Sequence, residues 1–204
     1  MTHSILTIGH STKPVESFIG MLQAHAVTAV ADVRSSPFSR YNPQFNRDAL
    51  RTSLANDGIQ YVLLGQELGA RSDDPACYVG GKVQYQRLAA TPLFQAGLDR
   101  VEQGAAQYRV ALMCAEKEPL ECHRTILVAR HLVMRGHEIA HILPDGTLEP
   151  HAHAMLRLLD QLGLSAQDMF RSQDDILDEA YARQGEKIAY DRIADETVKE
   201  SRVP

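Results

Sequence analysis

The sequence predicts an α/β fold: a Rossmann-like, mostly parallel sheet of about five strands flanked by helices, followed by a C-terminal helical extension. Three observations carry that expectation. Short apolar, β-branched runs recur along residues 4–143, the segments between them have helical spacing with recognisable starts and stops, and the joining loops are short. Such alternation folds into parallel βαβ units with helices on both faces of the sheet. The composition, 44% hydrophobic and 23% charged over 204 residues, suits one globular core with an appendage.

Residues 4–8 read as a buried strand that Gly9 breaks, and Pro14 then opens a helix whose Val15, Phe18, Ile19 and Leu22 recur at helical spacing. Residues 27–33 are the second β-branched run, residues 47–56 a short helix ended by Gly58, and residues 59–64 the third strand. Residues 65–87, with Gly69, Gly80 and Gly81, form the one long irregular stretch, of a length that compact domains use for lids and binding loops. Thr91 as N-cap and Pro92 as first helical residue start the next helix, which Gly104 ends. Residues 108–113 are the fourth strand, residues 124–135 a helix closed by Gly136, and residues 138–143 the fifth strand.

After the turn Pro144-Asp145-Gly146 no further strand is expected. Two amphipathic helices follow, over residues 150–162 and from residue 165 onward. In the second, Ser165 and Asp168 have capping-box spacing, and Ile176, Leu177, Ala180, Tyr181 and Ile188 make an apolar stripe suited to core packing. The expected units are an α/β core over residues 1–148 and a helical extension over residues 149–204 packed on it, with residues 195–204 polar enough to fray.

Charge narrows the partners. A formal net charge of -5 argues against a generic nucleic-acid coat or a polybasic membrane binder, so any basic surface must be local. The first residues turn polar at once and no apolar run approaches a membrane span, which makes a cytoplasmic location the expectation. Three cysteines, an odd number without small-scaffold spacing, suit reduced thiols.

Three strand ends bring polar residues to one edge if the sheet is parallel, and the carboxyl edge of such a sheet is where open α/β folds bind ligands. Gly9, His10 and Ser11 follow the first strand, Asp32 and Arg34 stand at the end of the second, and the turn from Cys114 through Glu116 to Cys122, His123 and Arg124 follows the fourth. Arg124, beside free N–H groups of a helix's first turn, and Arg34 are suited to hold phosphate, sulfate or carboxylate; an ion pair with Asp32 or Glu116 is the other use of Arg124. Gly9, Ser11, Arg40 and Cys114 complete the expected ligand-binding set. His10 or His123 would act as acid or base with Asp32 as orienter, and Glu116 is an alternative base.

Cys122 would feel the positive end of a helix dipole with His123 and Arg124 adjacent, which favours thiolate, while Glu116, Glu118 and Glu121 oppose it. The same residue also fits a small packed hydrophobe. Cys114, Cys122, His123 and His10 offer four metal ligands, but no CxxC knuckle is present and His151 and His153 stand two apart, so no metal and no cofactor is expected. His25, His131, His137 and His141 read as surface or packed imidazoles. Residues 34–51 carry Arg34, Arg40, Arg47 and Arg51 interleaved with Phe38, Tyr41 and Phe45, a pattern that suits either base stacking with phosphate contacts or a rigid loop pinned to the core by its aromatics.

Taken together, Thr7-Ile8-Gly9-His10-Ser11, Asp32-Val33-Arg34 with Pro37, Ser39 and Arg40, the pair Leu68-Gly69, Met113-Cys114-Ala115-Glu116 and Cys122-His123-Arg124 resemble the signature of the family called domain of unknown function 488. The resemblance spans nearly the whole chain, and residues 177–190, including Ala180, Tyr181 and Gln184, resemble the tail of its longer members. It implies a Rossmann-like fold and supports the place of the site; the family brings no established activity. A weaker similarity is to rhodanese-like sulfurtransferases, in which an Asp-Val-Arg follows an early strand and a catalytic cysteine ends a later one, as Asp32-Val33-Arg34 and Cys114 do here. The departure is the loop over residues 115–121, which holds three glutamates, a proline and no glycine, and so repels the anion that a rhodanese loop cradles.

The leading expectation is a cytoplasmic α/β protein that binds, and acts on, a phosphate-bearing small molecule or nucleic acid at the strand edge. One alternative is a thiol-dependent sulfurtransferase or redox enzyme using Cys122 with Cys114 as resolving partner. The other is a noncatalytic interaction module working through the helical tail or the loop over residues 34–51. On the leading expectation Arg124→Ala removes binding and leaves the fold intact.

Overall fold

The computed structural model describes residues 4–165 and 170–195. Strands β1 (Ile5–Gly9), β2 (Ala29–Asp32) and β3 (Gln60–Leu63) alternate with helices α1 (Val15–Ala24) and α2 (Arg47–Asn56). Next come a short helix α3 (Gly65–Leu68), a hairpin of β4 (Tyr78–Val79) and β5 (Lys82–Val83), α4 (Tyr85–Ala89) and the long α5 (Pro92–Ala105). Strand β6 (Val110–Cys114) leads through a loop into a π-helical segment, Arg124–Ala129, that continues as α6 (Arg130–Met134). β7 (Ile139–Ile142), β8 (Leu148–Pro150), α7 (His151–Gln161) and α8 (Gln173–Ile188) complete the order.

The sheet runs β3-β2-β6-β1-β7-β8, parallel throughout except for β8, which lies antiparallel on β7. The α/β, mostly parallel sheet flanked by helices is thus the architecture observed. Side chains alternate across β6 as the two-residue strand period requires: Val110, Leu112 and Cys114 join the core under α5 and α6, while Ala111 and Met113 join Phe18, Leu22, Leu50 and Leu54 under α1 and α2. A third apolar cluster joins Ala154, Leu158, Ile176 and Tyr181 of the last two helices to Leu120 and Ile126.

Several elements differ from the sequence reading. Leu148-Glu149-Pro150 is a sixth strand where none was expected; it is three residues long and its proline, which cannot donate to a ladder, is tolerated because the strand is at an edge. Residues 65–87 are not irregular throughout, since Gly80 and Gly81, at φ +55 and +85, turn the β4–β5 hairpin. The last helix starts at Gln173, capped by Ser172 and Asp175 in a reciprocal capping box. Asp168 of the expected Ser165 cap, and residues 196–204 of the expected fraying end, lie outside the described residues.

Candidate functional site

The strand order decides which polar residues can meet. β6 lies between β2 and β1, with Met113 registered on Asp32 and Cys114 on Gly9, so the three chain segments expected to form the site end side by side. Backbone bonds continue the sheet beyond its strands: the His10 and Ser11 amides donate to the carbonyls of Cys114 and Ala115 at 3.0 and 2.9 Å, and the Val33 amide donates to Met113. Gly9 is required here because a Cβ on it would lie 1.9 Å from the Glu116 carbonyl oxygen.

Asp32, Arg34 and His10 form one closed group. The Asp32 carboxylate accepts from Arg34 Nε at 2.9 Å, Arg34 Nη2 at 2.6 Å, the Arg34 amide and the Tyr61 hydroxyl. Arg34 also donates to the Phe45 carbonyl and, through Nη1, to His10 Nε2 at 3.1 Å. His10 Nε2 is therefore an acceptor, its proton sits on Nδ1 facing the Ser11 carbonyl at 2.7 Å, and its ring stacks on Phe45. Burial, aided by Arg34, lowers the His10 pKa to about 4, so the ring is neutral. Asp32 orients His10 only through Arg34.

Arg124 is fully buried and pairs with neither Asp32 nor Glu116 through its guanidinium. Its Nη1 donates to the Glu116 carbonyl at 2.8 Å and Nη2 to that of Lys117 at 3.4 Å, which pins the loop between Cys114 and Cys122. Nε finds no partner. An Arg124→Ala exchange would open a cavity and strand two carbonyls, so it is not the fold-neutral change expected from the sequence. Further clamps on this loop come from the C-terminal helices: Gln184 of α8 donates to the Leu120 carbonyl at 2.7 Å, and Arg157 of α7 pairs with Glu118 at 2.8 Å.

The pinned loop gathers a second group. Cys114 Sγ lies 3.7 Å and Cys122 Sγ 3.9 Å from His123 Nδ1, and Cys122 Sγ lies 3.0 Å from Glu116 Oε2. The ligand atoms of these four residues all fall within 4.8 Å of one another. His123 Nε2 lies 3.0 Å from the Val33 carbonyl, which holds the ring in place. Three of the residues the sequence reading weighed as metal ligands are thus brought together, with Glu116 in the place of His10.

The two sulfurs divide one charge. Burial, the neighbouring Cys122 and the Glu116 charge push the Cys114 thiol well above its ordinary range. Burial would raise Cys122 as well, but a hydrogen bond from Cys114 and the charges of Arg124 and His123 outweigh it and hold Cys122 well below. Burial would lower His123; its contacts with Cys122 and Glu116 reverse that and raise it. Glu116 is exposed as a residue, yet its carboxyl turns inward onto Cys122, and that enclosure raises its pKa.

A cavity of about 270 Å³ opens over this second group, lined among others by Arg34, Ser35, Ser36, Arg71, Cys114, Glu116, Glu121 and His123. Neither Cys122 nor Arg124 lines it. Arg71, which the sequence reading missed, stands at the rim with its guanidinium 4.3 Å over the Tyr190 ring and has no ion pair among the described residues. Its position in the stretch expected to be a binding loop was the available signal. Gly9 lies behind the loop, Ser11 carries a positive φ of 52 at the turn, and neither lines the cavity. Arg40 lies apart, exposed and stacked on Tyr41. The basic patch is correspondingly broken up: Arg34 and Phe45 are buried, Phe38 and Tyr41 are exposed, and Arg51 pairs with Asp48.

Residues 14–131, more than half of the chain, match the family described as Domain of unknown function DUF488. The chain belongs to the DUF488 family. The matched segment takes in α1 through the π-helical turn, hence the whole Cys114–Arg124 loop and the Asp32–Arg34 pair; the β1 turn of this DUF488 protein precedes it, and α7 and α8 follow it. No curated protein and no solved structure matches the chain. No helix among the described residues is long and apolar enough to cross a membrane.

Proposed function

We propose that this DUF488 protein binds a small phosphate-bearing molecule in the cavity above Cys114 and acts on it with the side chains of Cys114, Glu116, Cys122 and His123. The observation that supports this reading is the convergence of those four groups, three of them (Cys114, Glu116 and His123) lining a cavity at the carboxyl ends of β1, β2 and β6. The anion would be met at the rim by Arg71 and the hydroxyls of Ser35 and Ser36. Arg34, whose donors are engaged, and Arg124, whose terminal nitrogens hold the loop carbonyls, would act as positioning residues for His10 and for the loop.

A thermal-shift panel of nucleotides, simple phosphates and short oligonucleotides tests this on the wild type, Arg71→Ala and His123→Ala. A phosphate compound present at about a hundred times its Kd should stabilise the wild type by about 2.7 kcal/mol. The shift should shrink in both variants. No response to any phosphate would contradict the reading.

A second reading, thiol-dependent chemistry, is favoured by the approach of two sulfurs to His123 Nδ1, at 3.7 and 3.9 Å, with Cys114 on the cavity wall. It expects one thiol of the native protein to ionise well below the ordinary cysteine range when thiolate absorbance is followed against pH, and to lose that low-pH step in Cys122→Ser; ionisation only in the ordinary range would remove it.

A further inference from the structure

A phosphate at this cavity meets a problem of charge. The wall carries Glu116, Glu121 and the Cys114 sulfur, with Cys122 Sγ 3.0 Å from Glu116; against them stand Arg71 and Arg34, and Arg34 is already paired with Asp32. An anionic ligand approaching that floor is repelled unless a cation stands between, and the geometry of the floor is that of a cation site.

The Val33 carbonyl can only accept, so His123 Nε2 holds a proton there, and Nδ1 is the nitrogen free to give up its proton and present a lone pair to an ion. That lone pair faces both sulfurs, at 3.7 and 3.9 Å, and Glu116 Oε2 lies beside Cys122 at 3.0 Å. Metal bonds of about 2.3 Å to sulfur and about 2.0–2.2 Å to nitrogen or oxygen give a tetrahedron with edges of about 3.3–3.8 Å. The four ligand atoms need only small shifts to reach it. A backbone carbonyl holding the far ring nitrogen is the usual support of a metal-binding histidine. The Arg124 amide already donates to Cys122 Sγ at 3.4 Å, and its buried guanidinium offsets the charge left when two thiolates and a carboxylate surround a divalent ion. Two sulfurs and an imidazole select a zinc-class ion over magnesium or calcium.

We infer that Cys114, Cys122, His123 and Glu116 bind one zinc-class divalent ion, with the three buried residues as fixed ligands and Glu116 as the exchangeable fourth, which gives way to a phosphate oxygen of the cavity ligand. The exchange step rests on the function proposed above; the ion site itself does not. Binding displaces to solvent the protons that Cys114 Sγ and His123 Nδ1 hold without the ion.

The test uses the reduced, chelator-stripped full chain titrated with cobalt(II). The expected result is one equivalent bound, with a sulfur-to-cobalt charge-transfer band and the intense ligand-field bands of tetrahedral cobalt, all abolished by zinc. Cys122→Ser should lose the charge-transfer intensity. Glu116→Gln, a change at an exposed residue that spares the fold, should keep that band and bind cobalt more weakly. A wild type without the band, or a band and affinity unchanged in both variants, would overturn the inference. Running the phosphate panel on stripped and zinc-loaded protein separates the two proposals. Phosphate stabilisation with no cobalt band removes the ion and keeps the cavity reading, whereas a cobalt band with no phosphate response keeps the ion and removes the phosphate.

Discussion

Two polar groups lie side by side at the carboxyl edge of the sheet and are built in opposite ways. Around Asp32, each guanidinium nitrogen of Arg34 meets an acceptor, the carboxylate takes bonds from Arg34 and Tyr61, and both His10 nitrogens are engaged. Around His123, two sulfurs, a carboxylate oxygen and a ring nitrogen lie within 4.8 Å of one another, and the neighbouring Arg124 Nε and Thr125 Oγ1 have no partner. A buried network that satisfies itself fixes a shape, whereas ligand atoms that converge without enough donors are suited to receive something from outside the chain.

The sharpest way to break that comparison is stability. Asp32→Asn leaves the buried Arg34 guanidinium uncompensated and should lower unfolding free energy in urea by about 3–5 kcal/mol. Cys114→Ser, measured without metal, should cost only about 1–2 kcal/mol. Equal costs would mean that the second group is as structural as the first.

Acid gives a smaller effect and sharpens the contrast with a third network. Thr7 Oγ1, His141, His151 and the Tyr181 hydroxyl form a buried chain with spacings of 2.8, 3.0 and 2.6 Å, in which a single proton lies between the two rings. Protonating both rings would set two donors against each other, and a charge on either one would be buried. Burial lowers the His151 pKa to about 4, and burial with the nearby His151 lowers His141 well below its ordinary value. These groups bind fewer protons folded than unfolded, so their contribution is complete above pH 6.5 and is lost as the pH falls towards 4. For His151 alone the move from 6.5 to about 4 is worth about 3 kcal/mol. Urea midpoints should therefore fall over that window, and His151→Phe should flatten the fall; a flat wild-type profile would contradict the neutral chain.

The closed and open groups also differ in how far the sequence announced them. Local signals were legible: Thr91 caps α5 by accepting from the Phe94 amide, and α2 runs over the residues its pattern predicts. The polar strand ends were legible for the same reason, since each follows a clear apolar run. What brings them together was not. The loop from Cys114 to Cys122 lacks the short knuckle that marks a metal site, because it is shaped by Gln184 from 64 residues away and by Arg157 from 39. Likewise β8 exists only through its pairing with β7, and the strand order that seats β6 between β1 and β2 has no signature in any one segment.

The measurement that bears most directly on the open group is X-ray absorption at the zinc edge of the zinc-loaded full chain. The structure calls for two sulfurs at about 2.3 Å and two nitrogen or oxygen atoms at about 2.0–2.2 Å. A first shell of nitrogen and oxygen alone would contradict the account, because the ion would then be held away from Cys114 and Cys122.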